Sequence, residues 1–348
     1  MTAPPVRRRC AAVPVLALVL AAHLAAAPPA GAGAPLRPLG TVTLGRPVTG
    51  AGCPADHTCR NVTVTCPGVQ RPLGATIAVA QPAGPARAVA LFLSAAGGTL
   101  WYTDPGTRAG VNAAGMMAGL RDDGFVTVQV RWRAGWHVAE RGEDAGSHAM
   151  ACRPATVIAW AHETVVAPLG LAPSPGACGY CVTGVSASAN AVVHALSHYG
   201  LDAVVDAAIP TGGPSATDVA AGCLDRGDLA YLDGNRRNID AARGFQHFAG
   251  PCTLEDPAYE ARWGEESLGA AGADLLHEST RVTVLLGEHE AVPVVNQARA
   301  YEALLRAAGT PMVDEAVAPG IGHDVCANAQ GTALLRAAFL AVPAAPGG

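Results

Sequence analysis

Three residue types in one chain order carry the chemical interest of this sequence: Ser186, a carboxylate at Glu288 or Glu290, and His323. Ser186 lies in Gly184-Val185-Ser186-Ala187-Ser188. An apolar run ending in Cys181-Val182-Thr183 precedes it, and Ala189 to Tyr199 follows with Val192, Val193, Leu196 and Tyr199 at helical spacing. A buried strand that turns at once into a helix around a serine is a nucleophile elbow. The turn is tight, so the positions two residues either side must be small, as Gly184 and Ser188 are. The helix N-terminus beneath the hydroxyl favours a developing negative charge.

A serine hydroxyl is a poor nucleophile until a histidine takes its proton, and the imidazolium that forms needs a carboxylate on its other nitrogen. The stretch Gly287-Glu288-His289-Glu290-Ala291-Val292-Pro293 follows an apolar run, and either glutamate there qualifies as that carboxylate. The stretch Ala318-Pro319-Gly320-Ile321-Gly322-His323-Asp324-Val325 follows another apolar run and places a histidine on a glycine-bearing turn. Serine, acid and histidine thus occur in the order Ser…acid…His, with His323 33 positions after Glu290, enough for one helix and one strand.

These residues need elements to position them. Arg60 to Cys66 and Ala75 to Ala80 read as early strands, while residues 33–50, rich in Pro and Gly, read as loose chain. Ala88 to Leu93 is a continuous apolar run, as in a strand buried on both faces, and Ser94-Ala95-Ala96-Gly97-Gly98-Thr99 follows as a glycine-rich loop. Val111–Arg121 and Cys152–Ala167 read as helices, and Phe125–Arg131, Ala203–Ile209, Arg281–Leu286 and Met312–Val317 as strands. Val294–Ala308 and Asp324–Leu340 read as the last two helices. Strands alternating with helices predict an α/β domain with a mostly parallel central sheet flanked by helices, and functional groups gather at the carboxyl ends of such strands. Residues 210–280 interrupt the alternation and are too long for a simple crossover, so they predict a cap or lid inserted before the acid-bearing strand.

The glycine loop, the elbow, the acid three residues after Gly287 and the Gly-His-Asp ending, taken in order, resemble the α/β-hydrolase superfamily in its secreted bacterial esterase-like branch. The resemblance covers roughly Arg60 to Leu340. It implies Ser186 as nucleophile, His323 as general base and Glu290, rather than Glu288, as orienting acid. It also implies an oxyanion hole from the amides of Ala187, just after the nucleophile, and Ala96, the third residue of the glycine loop. Trp101 and Tyr102, just past that loop, read either as the lining of an acyl pocket or as surface packing.

Composition narrows the alternatives. The chain has 348 residues, 50% hydrophobic and 15% charged, with net charge −5. Every basic residue is arginine. Arg7–Arg9, the apolar Cys10–Ala27 and the small residues around Ala30-Gly31-Ala32 read as a signal peptide over residues 1–32, leaving a hydrolase domain over 33–348. Loss of those three arginines takes the net charge from −5 to −8, which disfavours nucleic acid as a partner. Nine cysteines remain after Cys10 and suit an oxidising compartment. At least two of Cys53, Cys59 and Cys66 are expected to pair, Cys223 and Cys252 form a natural second pair, and the odd number leaves a free thiol. Cys178-Gly179-Tyr180-Cys181 has redox-motif spacing but precedes a strand, so it reads as a structural or bonded pair. His194 and His198 lack an acid at metal-site spacing and read as surface or packing residues, and no phosphate-binding loop occurs.

The expectation is a secreted serine hydrolase acting on carboxylic esters, with a small-molecule or lipid or polymer ester substrate, no cofactor, no metal and no stable membrane anchor after signal cleavage. A peptidase or lipase on the same machinery is the nearest alternative, and a non-catalytic binding protein of the same fold is the alternative from another class.

Overall fold

The computed structural model describes residues 36–341 apart from 172, 173, 175, 247 and 271, so the expected signal segment lies outside the described residues. Among the described residues one nine-stranded sheet is formed by β1 (Thr41–Val48), β2 (Thr58–Thr65), β3 (Leu73–Ala80), β4 (Ala88–Leu93), β5 (Phe125–Trp132), β6 (Tyr180–Val185), β7 (Ala207–Thr211), β8 (Arg281–Gly287) and β9 (Val313–Ala318). Their order is β1-β2-β3-β5-β4-β6-β7-β8-β9. Pairing is antiparallel from β1 to β5 and parallel from β5 through β4 to β9. The helices are α1 (Arg108–Asp122), α2 (Ser147–Met150), α3 (Cys152–Ala161), α4 (Ala187–Ser197), α5 (Val219–Cys223), α6 (Asp233–Ala242), α7 (Glu260–Glu266), α8 (Val292–Ala308) and α9 (Ala329–Leu340).

The continuous apolar runs have a direct cause. Every residue of β4, β6, β7 and β8 is buried, because helices cover both faces of the sheet. Along β4, Ala88, Ala90 and Phe92 pack with α1 and α9 residues such as Met117, Leu120 and Phe339, whereas Val89, Leu91 and Leu93 pack with the layer of α3, α4 and α8. Phe92 anchors the first layer, with its ring centroid 5.3 Å from Phe339 and 5.0 Å from Tyr102. The alternation puts α4 on one face and the turn before it at the carboxyl edge of the parallel strands.

The structure departs from the sequence reading at the edges. Residues 41–48, expected as loose chain, form β1 against β2, with an irregular register between Leu44 and Pro47. Six of its eight residues are exposed, so backbone pairing rather than apolar burial holds it, and no hydrophobic pattern marks it. β7 begins at Ala207, after a 3₁₀ turn over Leu201–Ala203. The helix expected to reach Ala167 passes at His162 into a wider π-type turn, and the last helix begins at Ala329 after a short turn. His194 and His198 are packing residues, not surface ones: both are buried, with ring centroids 5.1 Å apart. Burial holds His198 down at about 4 and lowers His194 as well.

Four disulfides brace the domain: Cys53–Cys59, Cys66–Cys152, Cys178–Cys181 and Cys223–Cys252, leaving Cys326 free and buried. Cys66–Cys152 ties the end of β2 to the start of α3 across 86 residues of chain. The Cys66→Ser/Cys152→Ser variant is expected to lose about 4 kcal/mol in the chain-entropy treatment of such a loop. The measurement is a guanidinium unfolding midpoint, and an unchanged midpoint would contradict the expectation.

Candidate active site

Ser186 joins β6 to α4 with φ 61° and ψ −120°, a left-handed conformation that a side chain rarely adopts. Three contacts hold it there. The Ser186 amide donates to the Thr211 carbonyl at 2.9 Å, and the Ala189 amide donates to the Ser186 carbonyl at 2.8 Å. At Gly184 an added Cβ would lie 2.2 Å from the Ser188 carbonyl oxygen, so only glycine lets the strand pass under the turn. Ser188 does more than fit: its hydroxyl donates to the Ser94 carbonyl at 2.7 Å and ties the elbow to the loop after β4.

That loop turns at Ala96, φ 52°, with the Gly98 amide donating to the Ala95 carbonyl at 3.0 Å and the Ser94 hydroxyl to the Leu100 carbonyl at 2.7 Å. Among the described residues, the amides of Ala96 and Ala187 find no protein acceptor. For Ala187 this follows from its place as the first residue of α4, where a helix leaves its N–H groups unpaired.

The two glutamates separate cleanly. Glu290 accepts from His323 Nδ1 at 2.8 Å, and its side chain is 2% exposed. Glu288 is turned to the other side of the loop, where it accepts from the Gly320 amide at 2.7 Å. The loops after β8 and β9 are further joined by Glu288 N–H to the Ala318 carbonyl and His289 N–H to the Ile321 carbonyl, at 2.9 and 2.7 Å. The hydrogen bond from Glu290 raises the His323 pKa above the ordinary histidine value of 6.5, against an opposing effect of desolvation. With Nδ1 donating to the carboxylate, Nε2 is left as the basic nitrogen. The His323 side chain is 47% exposed and so open to an incoming molecule.

The Ser186 hydroxyl and His323 share no hydrogen bond among the described residues. The backbone of Ser186 and the ring of His323 each border the Gly212–Gly213 pair, which follows β7. An added Cβ at Gly212, φ 57°, would lie 3.3 Å from His323 Nδ1, and one at Gly213 would lie 3.5 Å from the Ser186 carbonyl oxygen. The next residues are clasped from two sides. Asn190, on the first turn of α4, accepts from the Ser215 amide at 2.7 Å, and Asn235 of α6 donates to the Ser215 hydroxyl at 3.1 Å. The Tyr231 hydroxyl donates to the Ser215 carbonyl. Gly212, Gly213, Ser215 and Asn190 were not singled out from sequence, although a Thr-Gly-Gly-Pro turn at a strand end was a usable signal.

A hollow of about 120 Å³ lies beside this constellation. Its walls include Val185, Ala95 and Asp324, the chain neighbours of Ser186, Ala96 and His323, together with Trp101, Tyr102 and Cys326.

Strand order, the elbow between β6 and α4 and the acid and histidine loops after β8 and β9 give the chain the α/β-hydrolase fold. No family model matches the sequence, and no curated protein does. Among solved structures it is similar to a thermostable carboxyl esterase from Bacillus coagulans, at 12% identity and TM-score 0.51 over 81% of this chain and 96% of the esterase. It is also similar to a puromycin-hydrolyzing peptidase from Mycobacterium tuberculosis, at 15% identity and TM-score 0.50, covering 81% of this chain but only 38% of the peptidase.

Because the folded pKa of His323 is raised, its pairing with Glu290 stabilises the protein fully below the ordinary value of 6.5 and loses that contribution as pH rises through the raised value. The His323 ring should titrate above 6.5 by NMR, and Glu290→Gln should move it downward. An unmoved titration would sever the link between the two residues.

Proposed function

We propose that this chain is a serine hydrolase that cleaves carboxylic esters through an acyl-enzyme. The observation that carries the reading is the Glu290–His323 hydrogen bond, set opposite a serine held in a strained turn at a helix N-terminus. In this reading a small side-chain rotation brings His323 Nε2 to the Ser186 hydroxyl, a contact that tightens when substrate binds. His323 takes the proton as Ser186 Oγ attacks the ester carbonyl carbon. Glu290 stabilises the imidazolium and fixes its tautomer. The tetrahedral oxyanion is received by the amides of Ala187 and Ala96. His323 then returns the proton to the departing alkoxide, leaving an acyl-serine. Water, activated by the same histidine, releases the acid and restores Ser186.

The test is hydrolysis of p-nitrophenyl esters. Ser186→Ala should abolish turnover, a loss of about 10⁴-fold or more, while leaving the unfolding transition in place. Glu290→Gln should cost on the order of 10⁴-fold in kcat, as loss of the orienting carboxylate does in such triads. Glu288→Gln should change kcat by no more than a few fold. A reversed ranking of the two glutamates would move the acid to Glu288, and a wild-type chain inactive on every ester and peptide tried would favour a binding protein.

Residues 210–280 are read here as a cap over this site. They leave the sheet at the carboxyl end of β7, and Tyr231 and Asn235 within them hold Ser215 next to the Gly212–Gly213 pair. Cys223–Cys252 closes 29 residues of that segment, worth about 3 kcal/mol in the chain-entropy treatment. Cys223→Ser/Cys252→Ser should therefore keep the core transition and alter KM or acyl-length preference. Unchanged kinetics on every ester would count against the cap as a support of the pocket. Export is proposed alongside, on the four disulfides and the signal-like leader. Among the described residues no helix is long and apolar enough to cross a membrane.

A further inference from the structure

Trp101 stands between two hollows. On one side is the hollow of about 120 Å³ beside Ser186, with Tyr102 and Cys326 in its wall. On the other is a larger one of about 460 Å³, enclosed by the Cys53–His57 loop, Thr103, Pro105 and the α1 residues Ala114, Met117 and Arg121. Among the described residues, Trp101 alone lines both. Its indole is 8% exposed and is fixed from several directions. The Arg131 guanidinium lies 4.6 Å from the ring centroid, and Cys59 and Ala78 pack against it. Two further links hold the surrounding loops. Cys53–Cys59 closes the N-terminal loop. Buried Gln129 bonds the His57 ring at 3.2 Å and accepts from the Thr103 amide and hydroxyl, each at 3.1 Å. The same side chain, held by these contacts, therefore forms part of the wall of both hollows.

We propose that Trp101 is the acyl-length determinant of this site: it restricts the wild-type protein to esters of short acids, of about four carbons or fewer, and screens a second apolar hollow that would otherwise take a medium-length acyl chain. The size argument is direct. An apolar cavity of about 150 Å³ holds one benzene, six heavy atoms. On that scale the 120 Å³ hollow takes about five, the size of a butyryl group. The adjoining hollow has more than three times the volume, and its Trp101, Met117, Pro54 and Pro105 surfaces suit methylene groups. This inference rests on the esterase reading, and the experiment keeps the two apart.

The measurement is kcat/KM for p-nitrophenyl acetate, butyrate, octanoate and decanoate, which share one leaving group and differ only in the acyl arm. Wild type should prefer butyrate over octanoate by about 100-fold. In Trp101→Ala the ratio of the octanoate value to the butyrate value should rise at least about tenfold. Trp101→Ala/Ala114→Trp puts bulk back into the second hollow from α1 and should return the preference to short acids. Trp101→Phe, a smaller plate in the same place, gives an intermediate ratio if the alanine variant does not fold. A wild type active on esters but already favouring octanoate would overturn the proposal. So would folded Trp101→Ala or Trp101→Phe with an unchanged length profile. Absence of turnover on all four esters would instead remove the esterase reading on which it rests.

Discussion

The Ser186 backbone is the constraint on which the site depends. A non-glycine residue at φ 61° and ψ −120° costs on the order of 1–3 kcal/mol and persists only where its surroundings over-determine it. Here β6 and α4 converge too sharply for any other path, β7 accepts the Ser186 amide, and the Ser188 hydroxyl pins the turn to the loop after β4. Those restraints come from three different strands. The core layers that bury those strands are thus what keep the serine hydroxyl standing clear of the sheet.

Part of this was legible in the sequence, for identifiable reasons. Ser186, His323 and the pair Glu288 and Glu290 declare themselves through local spacing at strand ends, and β4, β6 and β8 through unbroken apolar runs that only double-sided burial explains. β1 did not declare itself, because an exposed edge strand is held by backbone pairing and carries no hydrophobic pattern. Ser188 read only as a small residue, since its partner carbonyl is 94 residues away. Cys66–Cys152 and the Asn190–Ser215–Asn235 clasp were hidden for the same reason: both join distant segments whose residue types are unremarkable in isolation. The distinction between Glu288 and Glu290 lies between these cases. Both occupy one loop, and only the folded backbone sends one to His323 and the other to Gly320.

The insertion is joined to the rest of the domain by polar contacts as much as by apolar ones. Glu266 is fully buried and accepts from Arg243 and from the Ser147 hydroxyl, linking α7 to α2, and desolvation raises its pKa even with the arginine beside it. Removing one partner of such a pair leaves a buried uncompensated charge, which is far costlier than the pair's own net contribution. Asp240 gathers the amides of Gly250, Cys252 and Thr253 in the same segment. One carboxylate thus answers three backbone donors in the irregular turn after α6.

The site divides into two assemblies with separate wiring. Ser186, Ser188 and the loop after β4 form one. Glu290, His323 and the interlaced loops after β8 and β9 form the other. The seam between them runs along Gly212 and Gly213, where the chain leaves the sheet for its longest excursion before Arg281. Modularity of this kind makes the seam the natural place for divergence. A change in the length of the excursion at this seam leaves the hydrogen bonds within each assembly in place.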